Sequence, residues 1–217
     1  MVADLTRLAE SVREVEEAGA DVMHLDVMDG HFVPSIQAGT TMVSAVSSCA
    51  TRPVDAHLMM DNPEKHVEDF AEAGADIILF HVEVTPDPGP LLKRIRDLGC
   101  ECGLAIKPDT PPEAVEPVAD LVDSLLVMSV EPGYSGQEFM RSACDKIPEL
   151  RRMCGPDVDI GVDGGINTST AKTVIGLGAN LLVAGSAIFR ADVPPADALR
   201  RLRQAAEQAL ASRSDDA

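Results

Sequence analysis

One phrase recurs along the chain: an amphipathic stretch rich in Glu, Arg and Ala ends at Gly, and an apolar run follows within two residues. Copies are Glu17-Ala18-Gly19-Ala20-Asp21 before 22–27, Glu72-Ala73-Gly74-Ala75-Asp76 before 77–82, Leu98-Gly99-Cys100-Glu101 before 103–106, and Leu177-Gly178-Ala179-Asn180 before 181–184. Glycine just past a helix supplies the left-handed conformation that closes it, and a short apolar run after it reads as a parallel strand covered by helices. Each copy is an αβ unit. Further strands are predicted at 53–60, 124–130 and 158–162, and helices at 4–18, 63–73, 88–98, 141–153, 169–177 and 196–212.

Seven strands with interleaved helices place the chain in the α/β class. They suit a TIM (β/α)8 barrel lacking its first β-strand better than a Rossmann sheet, because no Gly-x-Gly-x-x-Gly follows a strand. Met1 leads almost directly into the first helix, so the missing strand is expected at the N-terminus. No linker rich in Pro, Gly or Ser divides the sequence. The expectation is one barrel domain over 1–210 and a short, polar, disordered tail over 211–217.

With 217 residues, 45% of them hydrophobic, the chain can bury one such core. Its net charge of -18 argues against nucleic acid and anionic membrane surfaces, which require a basic footprint. Any anionic substrate must therefore be held locally. Cys49, Cys100, Cys102, Cys144 and Cys154 are odd in number and lack zinc-knuckle spacing, so they read as small buried hydrophobes in a reducing cytoplasm. There is no signal-peptide pattern and no apolar run of the about 18 residues that a membrane span requires.

Barrels of this kind place chemistry at the C-terminal ends of their strands. His24 and Asp26 share one face of the 22–27 strand, because side chains at i and i+2 point the same way. With His57 and Asp163, from the ends of two other strands, they make a mixed nitrogen and oxygen donor set suited to Zn²⁺, Fe²⁺, Mn²⁺ or Co²⁺. Taken singly, the same residues also fit a hydrogen-bonded strand couple, a core histidine and an Asp-Gly turn. His81 and Glu83 share a face too, and fit ligation, support behind the ligands or barrel packing. His31 and His66 are expected at the surface.

Glycines form a second constellation. Pro132-Gly133-Tyr134-Ser135-Gly136-Gln137, Asp163-Gly164-Gly165 and Ala184-Gly185-Ser186-Ala187 follow the last three strands. They fit ordinary turns, or loops whose backbone N–H groups and helix dipoles hold a phosphate without Lys or Arg. Met28, Met59, Met60 and Met128 fall at or near strand ends and fit core filling or an apolar lid over a reactive intermediate.

Five phrases, in order, carry a resemblance: His24-Leu25-Asp26-Val27-Met28-Asp29-Gly30-His31-Phe32-Val33-Pro34, Asp55-Ala56-His57-Leu58-Met59, Val127-Met128-Ser129-Val130-Glu131-Pro132-Gly133, Val162-Asp163-Gly164-Gly165 and Val183-Ala184-Gly185-Ser186-Ala187. From about 3 to 189 the chain resembles the ribulose-phosphate 3-epimerase family. The resemblance implies a TIM-barrel isomerase of the pentose phosphate pathway that interconverts D-ribulose 5-phosphate and D-xylulose 5-phosphate through an enediolate. One divalent metal ion (Zn, Fe, Mn or Co) is implied, held by His24, Asp26, His57 and Asp163, with Asp26 and Asp163 also serving as acid and base. Implied substrate contacts are His24, Met28, His57, Gly133, Tyr134, Ser135, Gly136, Asp163, Gly164, Gly165, Gly185 and Ser186. A cytoplasmic homo-oligomer acting on a small phosphorylated ketose is the expectation.

Two departures stand out. The family normally begins with a strand carrying a substrate-contacting Ser, whereas this sequence starts Met1-Val2-Ala3-Asp4. An open seam with lower stability, altered subunit packing, or a start site placed too far downstream is expected. Tyr134-Ser135 stands where the family usually has Phe-Gly, so a side chain either crowds the phosphate or adds a donor. Rival readings are an epimerase of a six-carbon ketose phosphate and a truncated, inactive barrel acting as a binding module. A decarboxylase or aldolase of the orotidine-phosphate type is disfavoured, because Asp26-Val27-Met28-Asp29 lacks the Lys of Asp-x-Lys-x-x-Asp.

Overall fold

A computed structural model describes residues 3–215. Its strands are β1 (Met23–Asp29), β2 (Ile36–Gln37), β3 (Val54–Met59), β4 (Ile77–His81), β5 (Glu101–Ile106), β6 (Ser124–Met128), β7 (Asp159–Asp163) and β8 (Leu181–Val183). All belong to one curled sheet of order β2-β1-β3-β4-β5-β6-β7-β8. Seven are parallel and correspond to the seven apolar runs of the sequence. The eighth, β2, is a short antiparallel ribbon on the tip of β1.

The helices are α1 (Leu8–Glu17), α2 (Thr40–Ser47), α3 (Val67–Glu72), α4 (Gly89–Asp97), α5 (Ile147–Cys154), α6 (Thr168–Leu177), α7 (Ser186–Phe189) and α8 (Pro195–Asp215). In α4 the buried Leu91, Leu92 and Ile95 recur three and four apart and turn one apolar stripe to the sheet, whereas α8 packs on α1, α6 and α7. The Gly-terminated phrase holds in space: Gly178 closes α6 at φ 117, and Gly19, Gly74 and Gly99 also have positive φ.

Strand alternation divides the core into layers. Leu25, Val27, Val54, Ala56, Leu58, Ile78 and Phe80 face the helices in the main cluster. Leu79, Ala105, Leu126, Met128 and Val130 pack together as a separate cluster on the opposite, inner face. Gly103 on β5 makes room there, since a Cβ at that position would lie 2.3 Å from Leu79 Cδ2 and 2.7 Å from Ser124 O. The methionines split between the two expectations. Met60 belongs to the outer core and Met128 to the inner one, while Met28 and Met59 join Val33 and Phe32 in an apolar cluster of their own.

The barrel wall is open at one place. Among the described residues the sheet runs from the short β2, on the tip of β1, to β8, and β1 and β8 do not pair with each other. This is where a TIM barrel lacking its first strand must have its gap.

Several elements differ from the sequence pattern. The predicted helices at 63–73 and 141–153 divide into a 3-10 turn followed by α3 or α5, and Pro148 sits in the first turn of α5, where a missing N–H costs little. Helix α2 was not anticipated, because Thr40-Thr41-Met42-Val43-Ser44-Ala45-Val46-Ser47 lacks the charged face of the recurring phrase. The short elements β2 and α7 also escaped the pattern. Helix α8 continues to Asp215, through most of the expected tail, since no Gly or Pro interrupts it; residues 216–217 lie outside the described residues. No helix among the described residues is long and apolar enough to cross a membrane. All five cysteines are free, and Cys100, Cys102 and Cys144 are buried.

Candidate metal and proton-transfer site

Register brings the candidate ligands together. In the β1–β3 ladder His24 lies beside Asp55, and Asp26 beside His57. Met128 of β6 pairs with Asp163 of β7 on the other side of the lumen. One donor atom from each of His24, Asp26, His57 and Asp163 lies within 4.8 Å of the other three. Asp26 Oδ1 is 3.3 Å from His24 Nε2 and 3.2 Å from His57 Nδ1.

The chemistry of this set fits a divalent cation. Asp55 Oδ2 lies 2.7 Å from His24 Nδ1, and because a carboxylate only accepts, Nδ1–H is the donor. In the neutral ring Nε2 of His24 then carries the lone pair; this atom is buried, has no hydrogen-bond partner and faces the cluster. An orphaned imidazole nitrogen beside two carboxylates is what an ion of the Zn²⁺, Fe²⁺, Mn²⁺ or Co²⁺ type requires.

The two carboxylates of the set are driven in opposite directions. Burial and the nearby charge of Asp26 push Asp163 up to about 6. Burial also opposes ionisation of Asp26, but the imidazoles of His24 and His57 beside it outweigh that and hold Asp26 well below the ordinary carboxylate range. For His24, burial disfavours the cation, yet Asp55 and Asp26 prevail and raise its pKa well above the usual value.

A cavity of about 490 Å³ opens onto this cluster. His24, Met28, Gly133, Tyr134, Ser135, Gly136, Asp163, Gly164, Gly165, Gly185 and Ser186 all line it. His57 is not among the lining residues: it is fully buried and meets the cluster through Nδ1, 3.2 Å from Asp26 Oδ1. His31 is exposed and His66 lies on the surface, as expected.

Backbone bonds fix the loops around the cavity. Ser129 Oγ lies 2.9 Å from Asp163 O and 2.6 Å from Gly164 O, tying the end of β6 to the turn after β7. Gly164 has φ +115, and a Cβ there would lie 2.6 Å from Val130 Cγ2. Gln137 Nε2 donates to Glu131 O and Tyr134 O, which anchors the loop carrying Gly133 to Gly136. Asp29 accepts from His31 N, Phe32 N and Asp61 N, so it organises a turn and is no part of the donor set.

Two supporting residues escaped sequence reasoning. Asp55 had a usable signal, its place two residues before His57 on the same strand face. Ser129 had none, since its partners are carbonyl groups of a different strand end.

The family model described as "Ribulose-phosphate 3 epimerase family" matches residues 1–189. A ribulose-phosphate 3-epimerase of Bacillus subtilis is 44% identical over 191 residues, covering 86% of this chain and 88% of that protein. One from Synechocystis is 47% identical over 194 residues, covering 87% of this chain and 84% of its own length. The chain belongs to the ribulose-phosphate 3-epimerase family. Among solved structures, a 3-hexulose-6-phosphate synthase superposes with a TM-score of 0.71 at 22% identity, covering 94% of this chain and 97% of its own. An orotidine 5'-phosphate decarboxylase from Pyrococcus horikoshii gives 0.69 at 15% identity, covering 93% and 94%. Those likenesses concern the barrel alone. Measured against the usual ribulose-phosphate 3-epimerase pattern, Tyr134 and Ser135 are both exposed at the cavity rim, with Tyr134 59% accessible.

Proposed function

We propose that the chain interconverts D-ribulose 5-phosphate and D-xylulose 5-phosphate by exchanging the C3 proton between Asp26 and Asp163. Inverting a carbon beside a carbonyl requires a base on one face and an acid on the other, with an enediolate between. The observation that carries this reading is a pair of carboxylates from β1 and β7 that line one cavity and whose surroundings push their pKa values apart. Asp26, held ionised, takes the proton; Asp163, raised to about 6 and so able to carry a proton close to neutral pH, supplies one to the opposite face. In the reverse direction the roles exchange.

His24, Asp26, His57 and Asp163 would hold the divalent ion. When bound, it supplies Lewis-acid stabilisation of the charge that develops on the substrate's oxygens. The substrate phosphate is assigned to the backbone N–H groups of 133–136, 164–165 and 185–186, which explains how a chain of net charge -18 accommodates an anion. Met28, Met59 and Phe32 form an apolar cluster beside the cavity and exclude water from the reacting carbons.

NMR of the protein with D-ribulose 5-phosphate in D₂O tests the reading. Deuterium should enter at C3, stop entering after chelation and resume on adding back Zn²⁺, Mn²⁺, Fe²⁺ or Co²⁺. Asp163→Asn should lower the exchange rate about 10²- to 10⁴-fold. Wild-type rates in that variant, or no exchange by folded, metal-loaded protein, would overturn it.

A further inference from the structure

His57 is the most deeply buried of the four candidate ligands, and its second ring nitrogen does not face the cluster. Nε2 instead lies 3.0 Å from Nε2 of His81, which is also fully buried. Nδ1 of His81 lies 3.0 Å from Glu83 Oε2. The other oxygen of Glu83 accepts from Lys107 N at 2.8 Å and from the Thr110 hydroxyl. Lys146 Nζ in turn holds the 107–110 loop through the carbonyls of Lys107, Pro108 and Thr110. An unbroken line of hydrogen bonds therefore runs from the cluster, across β4, to a loop beyond β5.

Donor accounting gives this line a direction. The Glu83 carboxylate only accepts, so Nδ1 of His81 carries a hydrogen. A neutral His81 then offers a lone pair at Nε2, which accepts from Nε2–H of His57. His57 then turns Nδ1, the atom 3.2 Å from Asp26 Oδ1, to the donor cluster, where its lone pair is free once a cation instead of a proton lies between Nδ1 and the carboxylate. The opposite direction needs hydrogens on both nitrogens of His81, a cation without accessible surface between another imidazole and the Phe32 ring, whose centroid is 4.6 Å away.

We propose that His81 and Glu83 are positioning residues that fix the tautomer and ring plane of His57, so that Nδ1 is presented as a ligand to a divalent cation. The assignment rests on the reading of His24, Asp26, His57 and Asp163 as the metal site. Neither residue touches substrate: both are absent from the cavity lining. They act on the ion through His57, as outer partners of metal-bound histidines do.

The test uses Co²⁺ with the full chain, reading affinity by competition with a chromophoric chelator and geometry from the visible d–d spectrum. His81→Phe keeps a ring of similar size but cannot accept from His57. It should weaken Co²⁺ binding about 10- to 100-fold and alter the spectrum. His81→Gln, whose amide oxygen can accept, should recover most of the affinity, which a purely packing role would not produce. Glu83→Ala, at a side chain partly open to solvent, repeats the test should His81→Phe fail to fold. Unchanged affinity and spectrum in folded His81→Phe or Glu83→Ala, with binding still abolished by His57→Ala, overturn this assignment alone. Co²⁺ binding indifferent to His57→Ala overturns it together with the metal site.

Discussion

His57 and His24 bring the same ring to the same cluster from unlike parts of the wall. His57 stands on β3, paired along both edges and buried at all six positions. His24 stands on β1, which pairs fully with β3 but meets only the two-residue β2 on its other edge. Strand β8, across the gap, is half-buried throughout. The supports follow the same division. The closed wall holds His57 through His81 and Glu83, whereas His24 depends on the single carboxylate of Asp55. Both supports come from the β3–β4 side, so the ligands are oriented from the closed wall toward the seam.

The largest expected contrast is in stability. Leu125 on β6 and Leu182 on β8 both pack on the outer core, but Leu125 is 1% exposed and Leu182 is half-buried. Leu125→Ala should cost about 2–5 kcal/mol in denaturant unfolding, and Leu182→Ala about 1 kcal/mol. Equal costs would show that the seam is as tightly packed as the wall.

Next in size is the dependence of His24 on one partner. Asp55→Asn removes the charged acceptor at nearly constant volume, and the Co²⁺ dissociation constant should rise about 10- to 100-fold. A constant equal to that of wild type would mean that other contacts orient this ring.

The smallest effect concerns pH. In the metal-free protein the raised groups, Asp163 near about 6 and His24 well above its ordinary value, both lie on strands flanking the gap or next to it. A cation must displace the His24 proton across neutral pH, and below about pH 6 the Asp163 proton as well. Affinity should therefore fall with acidification, by up to about tenfold more per unit below pH 6 than above it. Titrating Co²⁺ binding from pH 5 to 8 checks this, and Asp163→Asn should abolish the break. Linkage to folding has the matching sign: the raised Asp163 stabilises the metal-free fold below the unfolded carboxylate pKa of 3.8, and that contribution is lost as pH rises through about 6.

Much of this architecture was legible in the residue pattern, for local reasons. A Gly-closed helix followed by an apolar run is written in neighbouring residues and located four of the seven parallel strands, while apolar runs alone located β3, β6 and β7. His24 and Asp26 were legible as a pair because strand geometry places i and i+2 on one face. Ser129 acts through loop carbonyls that nothing local encodes, and Asp55, although its shared face with His57 was visible, meets His24 only through cross-strand register. The same holds for His81, whose shared face with Glu83 was visible but whose contact with His57 depends on the β3–β4 alignment. Helix α2 stayed hidden because its Thr, Ser and Val residues favour other conformations and only packing of Val43 and Val46 commits them.

The cavity that opens on the ligand cluster also runs behind it, past Leu8 and Val12 of α1 to Leu202, Leu210 and exposed Asp21. The ligand cluster therefore shares one cavity with the apolar faces of α1 and α8.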